Sequence, residues 1–489
     1  MSNFIVSDNV STSSSSIVDI LACWTMSDSL IRPRPRRQCA IIFAIGLFFI
    51  GIYVITVSSP STLLYRTFPS YNSSNVGTPS FSLHREYDVW TPFAVQLTSH
   101  DWFIKNCIAK GEFTIAGIPD VLASWATAEN SDCKNLYKKF TAIYTVEKRI
   151  GSVKIPETFQ GQVKAWLGNI DGLYQELFHQ DIIHVLNMYT RETTVFNPLR
   201  DKRPVTKPKE SEEDYLARIT KESALNCDFC KYKNFTAEHD FGRVETELSF
   251  SASNIFKLDR LHAVITIKDH DPVNWSYEQY MDMMRTTLVW LNKAYTNDPS
   301  ALYPAIIWDL LPKSGSSQLH PHNQVFLSPN RYQGMVESWR RAGQDYFSDL
   351  HSNYFSDLIT LYSALGLTVQ FKSAVALASL TPRKDNEVVI IAPEADDDFF
   401  QLIYYVLRAF MDDLKKYSFS LGGGFPPMVP SVQAGRLPAF VRIITRGVMT
   451  EIRTDISALE LFTATNVNID PYKVVNVVKN SVLKRAPRP

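Results

Sequence analysis

Net charge is the first thing this sequence lacks: 50 basic residues balance 50 acidic ones, so no global field draws the chain to nucleic acid, and no nucleic-acid partner is expected. Disorder is excluded as well. With 45% hydrophobic and 12% aromatic residues the chain can bury a core, and 489 residues leave room for a large one plus an appended region. Cysteine is scarce, 6 in all, so each one that falls into a pattern has to be explained.

Charge is also missing locally. The run CAIIFAIGLFFIGIYVITV, Cys39 to Val57, holds 19 residues without a charged side chain. At ~1.5 Å per residue it matches the hydrocarbon thickness of a bilayer. RPRPRR (32–37) stands immediately before it, and the 23 residues after it, SSPSTLLYRTFPSYNSSNVGTPS, carry only Arg66. The positive-inside rule then gives a cytosolic tail over 1–38, a transmembrane helix over 39–58 and a lumenal or extracellular remainder. That topology is a single-pass type II membrane protein. A cleaved signal peptide is the rival reading, but the apolar run is longer than a usual signal core and begins too far into the chain. Sequons at Asn72, Asn234 and Asn274 are compatible with a glycosylated far side. Ser, Pro, Asn and Gly dominate 59–84, which reads as a flexible stalk.

From 85 to 190 the apolar spacing is mostly helical and no chemical motif stands out; in an oxidising lumen Cys107 and Cys133 could pair. Beyond it, strands alternate with helices. LHAVITIKDH and, about 125 residues on, NEVVIIAPEA each precede an amphipathic helix, which points to an internal duplication with units at 191–345 and 346–489. Ser276 with Gln279 three residues later forms a capping box at the start of the first such helix.

Four residues have types suited to zinc: Cys227 and Cys230 in NCDFC, His270 in IKDH and His320 in LHPH. Taken singly each has an ordinary explanation, a disulfide or redox pair for the cysteines and a surface histidine for His270. The stretch SGSSQLHPHNQVFL (314–327) sets His320, His322 and Gln324 on one face of a strand. Both imidazoles could hold one zinc that activates water; alternatively one binds metal and the other is a nucleophile toward phosphorus. The preceding Ser-Gly-Ser-Ser run offers hydroxyls and backbone N–H groups to phosphate oxygens, with Gly315 permitting close approach.

HPHNQ resembles the active-site motif of the galactose-1-phosphate uridylyltransferases in the histidine triad superfamily. NPLRDKRP (197–204) is similar to that family's basic segment, and CDFC to its zinc motif, in the same order along the chain. The resemblance covers roughly 190–489. It implies an α+β fold of duplicated histidine-triad units with antiparallel sheets and flanking helices, to which this chain adds the transmembrane helix and a helical insert. It implies that His322 attacks the α-phosphorus of a nucleoside diphosphate sugar, releasing sugar 1-phosphate. Gln324 and Ser317 would contact phosphoryl oxygens, Arg200 and Arg203 would hold the sugar phosphate, Glu460 would serve as the family's glutamate in the closing segment, and Cys227, Cys230, His270 and His320 would bind a structural zinc. A homodimer is a further expectation.

Two departures stand out. Asp309-Leu310-Leu311 occupies the place of the family's Asn-x-Gly, and FVRIITRG occupies the region of a histidine-rich second metal site, so no second metal is expected. A nucleotide-sugar or dinucleoside polyphosphate phosphorylase, a zinc hydrolase and a non-catalytic lumenal binding protein remain as alternatives.

Overall fold

The computed structural model describes residues 92–202, 210–429, 437–451, 454–462 and 464–487. The expected cytosolic tail, transmembrane helix and stalk lie outside these. Among the described residues no helix is long and apolar enough to cross a membrane.

The fold is α+β. Strands β1 (Tyr144–Gly151), β2 (Gln180–Asn187) and β3 (Thr193–Phe196) belong to a smaller sheet. The first half of the main sheet consists of β4 (Ser249–Ser253), β5 (Leu261–Ile267), β6 (Tyr303–Leu310) and β7 (His322–Ser328). Its second half consists of β8 (Thr368–Phe371), β9 (Ala374–Ala378), β10 (Val388–Ala392), β11 (Phe419–Gly424) and β12 (Ala439–Thr445), and β13 (Ala464–Val467) returns to the smaller sheet. The nine-stranded order is β4-β5-β7-β6-β11-β12-β10-β9-β8, antiparallel throughout.

That order contains the duplication. Hairpin, helix and hairpin run β4-β5, Tyr277–Asn297, β6-β7 in one half and β9-β10, Asp397–Arg408, β11-β12 in the other, and each half is ordered first, second, fourth, third. The halves join where β6 pairs with β11. On its other side β11 packs tightly against β12 at Gly423, because a Cβ there would lie 2.0 Å from the Phe440 carbonyl. The helix Tyr277–Asn297 starts at the expected capping box, Ser276 with Gln279. It covers one sheet face, where Asn323 bonds Thr287. By the period of two, His322 and Gln324 point to the other face.

The registers make the two halves comparable residue by residue. Gln324 pairs with Val264 and Arg442 with Val389. In each half the side-chain partner sits two positions before that neighbour along the chain: His262 for Gln324, and Glu387, just ahead of β10, for Arg442. Arg442 also binds Glu192, so FVRIITRG carries a buried ion cluster in which all three residues are under 7% exposed. Burial pushes the Glu387 carboxyl up against the pull of Arg442.

The segment 85–190 is less helical than its spacing suggests. Helices do form at His100–Cys107, Ile118–Trp125 and Ser131–Ile143, and the first and third are joined by a Cys107–Cys133 disulfide. DIIHVLN, however, lies in β2, with Ile183, Val185 and Asn187 turned inward and the whole strand paired to β1. Its β-branched residues satisfy a period of two as well as a helical one, and pairing decides. β13 pairs in parallel with β3, so the closing segment and the residues before 197 share one sheet.

Removing Arg442 leaves the buried Glu387 carboxylate without its ion-pair partner and Glu192 with Arg383 at 3.4 Å. Arg442→Met is expected to cost about 3–5 kcal/mol, read as a lowered denaturant midpoint; an unchanged midpoint contradicts the role of this cluster.

Candidate functional site

Cys227, Cys230, His270 and His320 come together from three parts of the chain, with their donor atoms all within 4.8 Å of one another. Both cysteines are free thiols. The separations are 3.3 Å between the two Nδ1 atoms, 3.4 Å from Cys227 Sγ to His320 Nδ1, and 3.4 and 3.6 Å from Cys230 Sγ to the Nδ1 atoms of His270 and His320. A tetrahedron built on Zn–N of about 2.05 Å and Zn–S of about 2.3 Å has N–N edges near 3.3 Å and N–S edges near 3.6 Å. The donor set therefore fits zinc in kind and in size.

The outer nitrogens agree with this arrangement. His320 Nε2 lies 2.6 Å from the Ile267 carbonyl, which can only accept, so the proton sits there and Nδ1 keeps its lone pair. Ser223 gives its hydroxyl hydrogen to the Thr220 carbonyl and so accepts from His270 Nε2 at 2.9 Å. Burial lowers His270 and brings His320 down to about 4, so both rings are neutral near pH 7. Burial and the adjacent Cys227 push the Cys230 thiol up to about 11, so zinc binding has to displace thiol protons.

His322 stands apart from this group. Its Nδ1 lies 2.7 Å from the His320 carbonyl and must donate to it, which leaves an unprotonated Nε2. Burial lowers its pKa, so the ring stays neutral. Phe229, inside the CDFC turn, sets its ring edge-on to both His320 and His322, at 5.7 and 5.3 Å. Thr266, opposite His322 on β5, is buried, and among the described residues its hydroxyl has no partner.

The loop before the histidines turns on two positive φ angles, Gly315 at 103° and Leu311 at 74°. Leu311 sits where the resembled family carries glycine, so this chain holds a branched residue in a backbone conformation that costs on the order of 1–3 kcal/mol. Arg446 ties the loop down by donating to the Ser314 carbonyl while paired with Asp455. Gly315 and Ser317 are exposed.

Arg200 and Glu460 lie beside the smaller sheet. Arg200 donates to Asn466 on β13. Glu460 accepts from Lys384 and from Ser457. Arg203 falls outside the described residues. The sequence reading missed His262 and Asn254, which both contact Gln324. The only sequence signal for His262 is a lone histidine in the apolar run of β5.

No protein-family profile matches this sequence, and no characterised protein matches it by sequence. Solved structures do resemble the fold. One is an ADP-glucose phosphorylase from Arabidopsis thaliana with bound ADP-glucose, at 16% identity and TM-score 0.47, covering 60% of this chain and 97% of that one. A galt-like protein from Arabidopsis thaliana shows 17% identity and TM-score 0.43, with 52% and 91% covered. A uridylyltransferase shows 14% identity and TM-score 0.42, with 63% and 100% covered.

Elemental analysis of the purified protein is expected to find about one zinc per chain, and Cys227→Ser or His270→Ala to lose it together with thermal stability. A Cys227–Cys230 disulfide in the native protein contradicts the assignment.

Proposed function

We propose that the protein is a nucleotidyltransferase that takes a nucleoside diphosphate sugar and carries its nucleotidyl group on His322. One observation carries this reading: the His320 carbonyl takes the Nδ1 proton of His322 and leaves Nε2 with a lone pair. Attack by Nε2 on the α-phosphorus forms an N–P bond and breaks the bond to the bridging oxygen, which leaves with the sugar 1-phosphate. The ring gains positive charge in that step, and the Nδ1–H bond to the carbonyl strengthens as it does. A phosphate oxygen of an incoming sugar 1-phosphate then attacks the same phosphorus from the opposite side and restores the neutral ring.

Zinc, bound by Cys227, Cys230, His270 and His320, would act structurally by fixing the start of β7. Gln324 and Ser317 would donate to the phosphoryl oxygens, and Gly315 would let them approach the loop backbone. Arg200 and Arg203 would hold the phosphate of the sugar phosphate, a task suited to a guanidinium fork, with Glu460 nearby in the closing segment. A phosphorylase shares the first half-reaction and differs only in taking inorganic phosphate as acceptor. A hydrolase using both HPH imidazoles on one ion is disfavoured, since the four donors that cluster include His320 and leave out His322.

The membrane assignment is part of the same proposal: 39–58 spans, and the catalytic part is lumenal or extracellular. Protease treatment of intact microsomes is expected to remove the N-terminal tail and spare the rest; digestion of the catalytic part in sealed vesicles contradicts it.

With nucleotide sugars labelled at the α-phosphate and several bases tried, His322 is expected to acquire label that survives base and is lost in acid. His322→Gly should abolish labelling and keep zinc, whereas His320→Asn should lose zinc. Absence of an adduct with every nucleotide, together with zinc loss in His322→Gly, overturns the transferase.

A further inference from the structure

Gln324 can serve a phosphoryl group as donor only if its amide faces the right way, because an amide turned over offers oxygen where hydrogen is needed. Two backbone N–H groups in the loop between β4 and β5 bear on this. The Leu258 N–H donates to His262 Nδ1 at 3.1 Å. A ring nitrogen that accepts carries no proton, so the single proton of the neutral ring is on Nε2. Burial lowers the His262 pKa and keeps the ring in that one-proton state near neutrality. His262 Nε2 lies 2.9 Å from Gln324 Oε1 and therefore donates to it.

Asn254 repeats the arrangement. The Phe256 N–H donates to Asn254 Oδ1 at 2.9 Å, which fixes the oxygen end of that amide. Its Nδ2 then faces Gln324 Oε1 at 3.3 Å. Two donors whose direction is set by backbone amides thus end on one oxygen. The Gln324 amino group is left with no protein acceptor among the described residues, on the sheet face that also carries His322. His262 itself is fully buried and stacked on Phe326 at 4.3 Å, so its ring has no freedom to turn over.

We propose that His262, with Asn254, is a positioning residue that orients the Gln324 amide so that its amino group meets the transferred phosphoryl oxygens. This rests on the nucleotidyl-histidine reading of His322. It also gives a purpose to two backbone N–H groups of the loop 254–260, whose Asp259 and Arg260 side chains reach Ser328, Gln333 and Asp298. Ile255, Phe256 and Leu258 are 71%, 87% and 71% exposed, so the loop is held by its polar bonds to Asn254 and His262 more than by burial of its own apolar residues. The corresponding pair in the second half, Arg442 with Glu387, is committed to an ion cluster, and Phe440 holds the register position that His322 holds in the first.

The test compares four zinc-loaded full-length proteins: wild type, His262→Phe, Gln324→Ala and the double variant. Phenylalanine keeps the stack on Phe326 and removes both hydrogen bonds. Each single substitution is expected to slow formation of the acid-labile His322 adduct at least about tenfold, the size of a lost hydrogen bond to a charged group. The double variant should be no slower than Gln324→Ala, since His262 acts only through Gln324. Losses that multiply, or a His262→Phe protein that labels at the wild-type rate, overturn the proposal. A second readout does not depend on turnover. Histidine-selective nitrogen NMR should show His262 protonated at Nε2 and bare at Nδ1, and the reverse tautomer refutes the orientation whether or not any nucleotide labels. A wild-type protein that forms no adduct contradicts the His322 reading itself, and with it the role given to Gln324.

Discussion

The arrangement of the site depends on one residue, His320, used on both its sides. Its ring joins two thiols and a second imidazole in a tetrahedral set of donors, while its backbone carbonyl receives the Nδ1 proton of His322. The metal-binding set and the candidate nucleophile are therefore separated by Pro321 alone and joined by the hydrogen bond from His322 Nδ1 to the His320 carbonyl. Anything that fixes the His320 ring also fixes the carbonyl that decides which nitrogen of His322 is free. Pro321 between them removes one backbone torsion and stiffens the link.

Around that unit the fold supplies direction. One face of β7 is packed by the helix Tyr277–Asn297, which takes Asn323 and Val325, and so commits His322 and Gln324 to the other face. The seam between β6 and β11 then extends the same sheet into a second half of identical strand order. The two halves have diverged in chemistry while keeping geometry. A neutral His262–Gln324 pair occupies the diagonal in one, and a charged Glu387–Arg442 pair occupies it in the other. A buried ion cluster contributes little net stability compared with apolar packing, whereas breaking one by removing a single partner is costly.

Much of this was legible in the sequence because the relevant signals are short. The CxxC spacing, the HPH triplet and the capping box at Ser276 are each contained within a few residues, and a strand period of two is enough to place His322 beside Gln324. The duplication was visible because two hydrophobic strand signatures recur. What was not legible depends on contacts between distant positions. His262 reaches Gln324 across 62 residues of chain, and Glu192 reaches Arg442 across 250. The strand character of 180–187 emerged only through pairing with β1, since its apolar residues fit both periods. The positive φ at Leu311 is likewise invisible to propensity, which would place a glycine there.

The central claim is that the two imidazoles of HPH have separate duties, and X-ray absorption at the zinc edge tests it most directly. The account predicts a closed shell of two sulfurs at about 2.3 Å and two nitrogens at about 2.0–2.1 Å, identical in the wild type and in His322→Gly. A shell with three nitrogens, or one that loses a nitrogen and gains an oxygen when His322 is replaced, would contradict it.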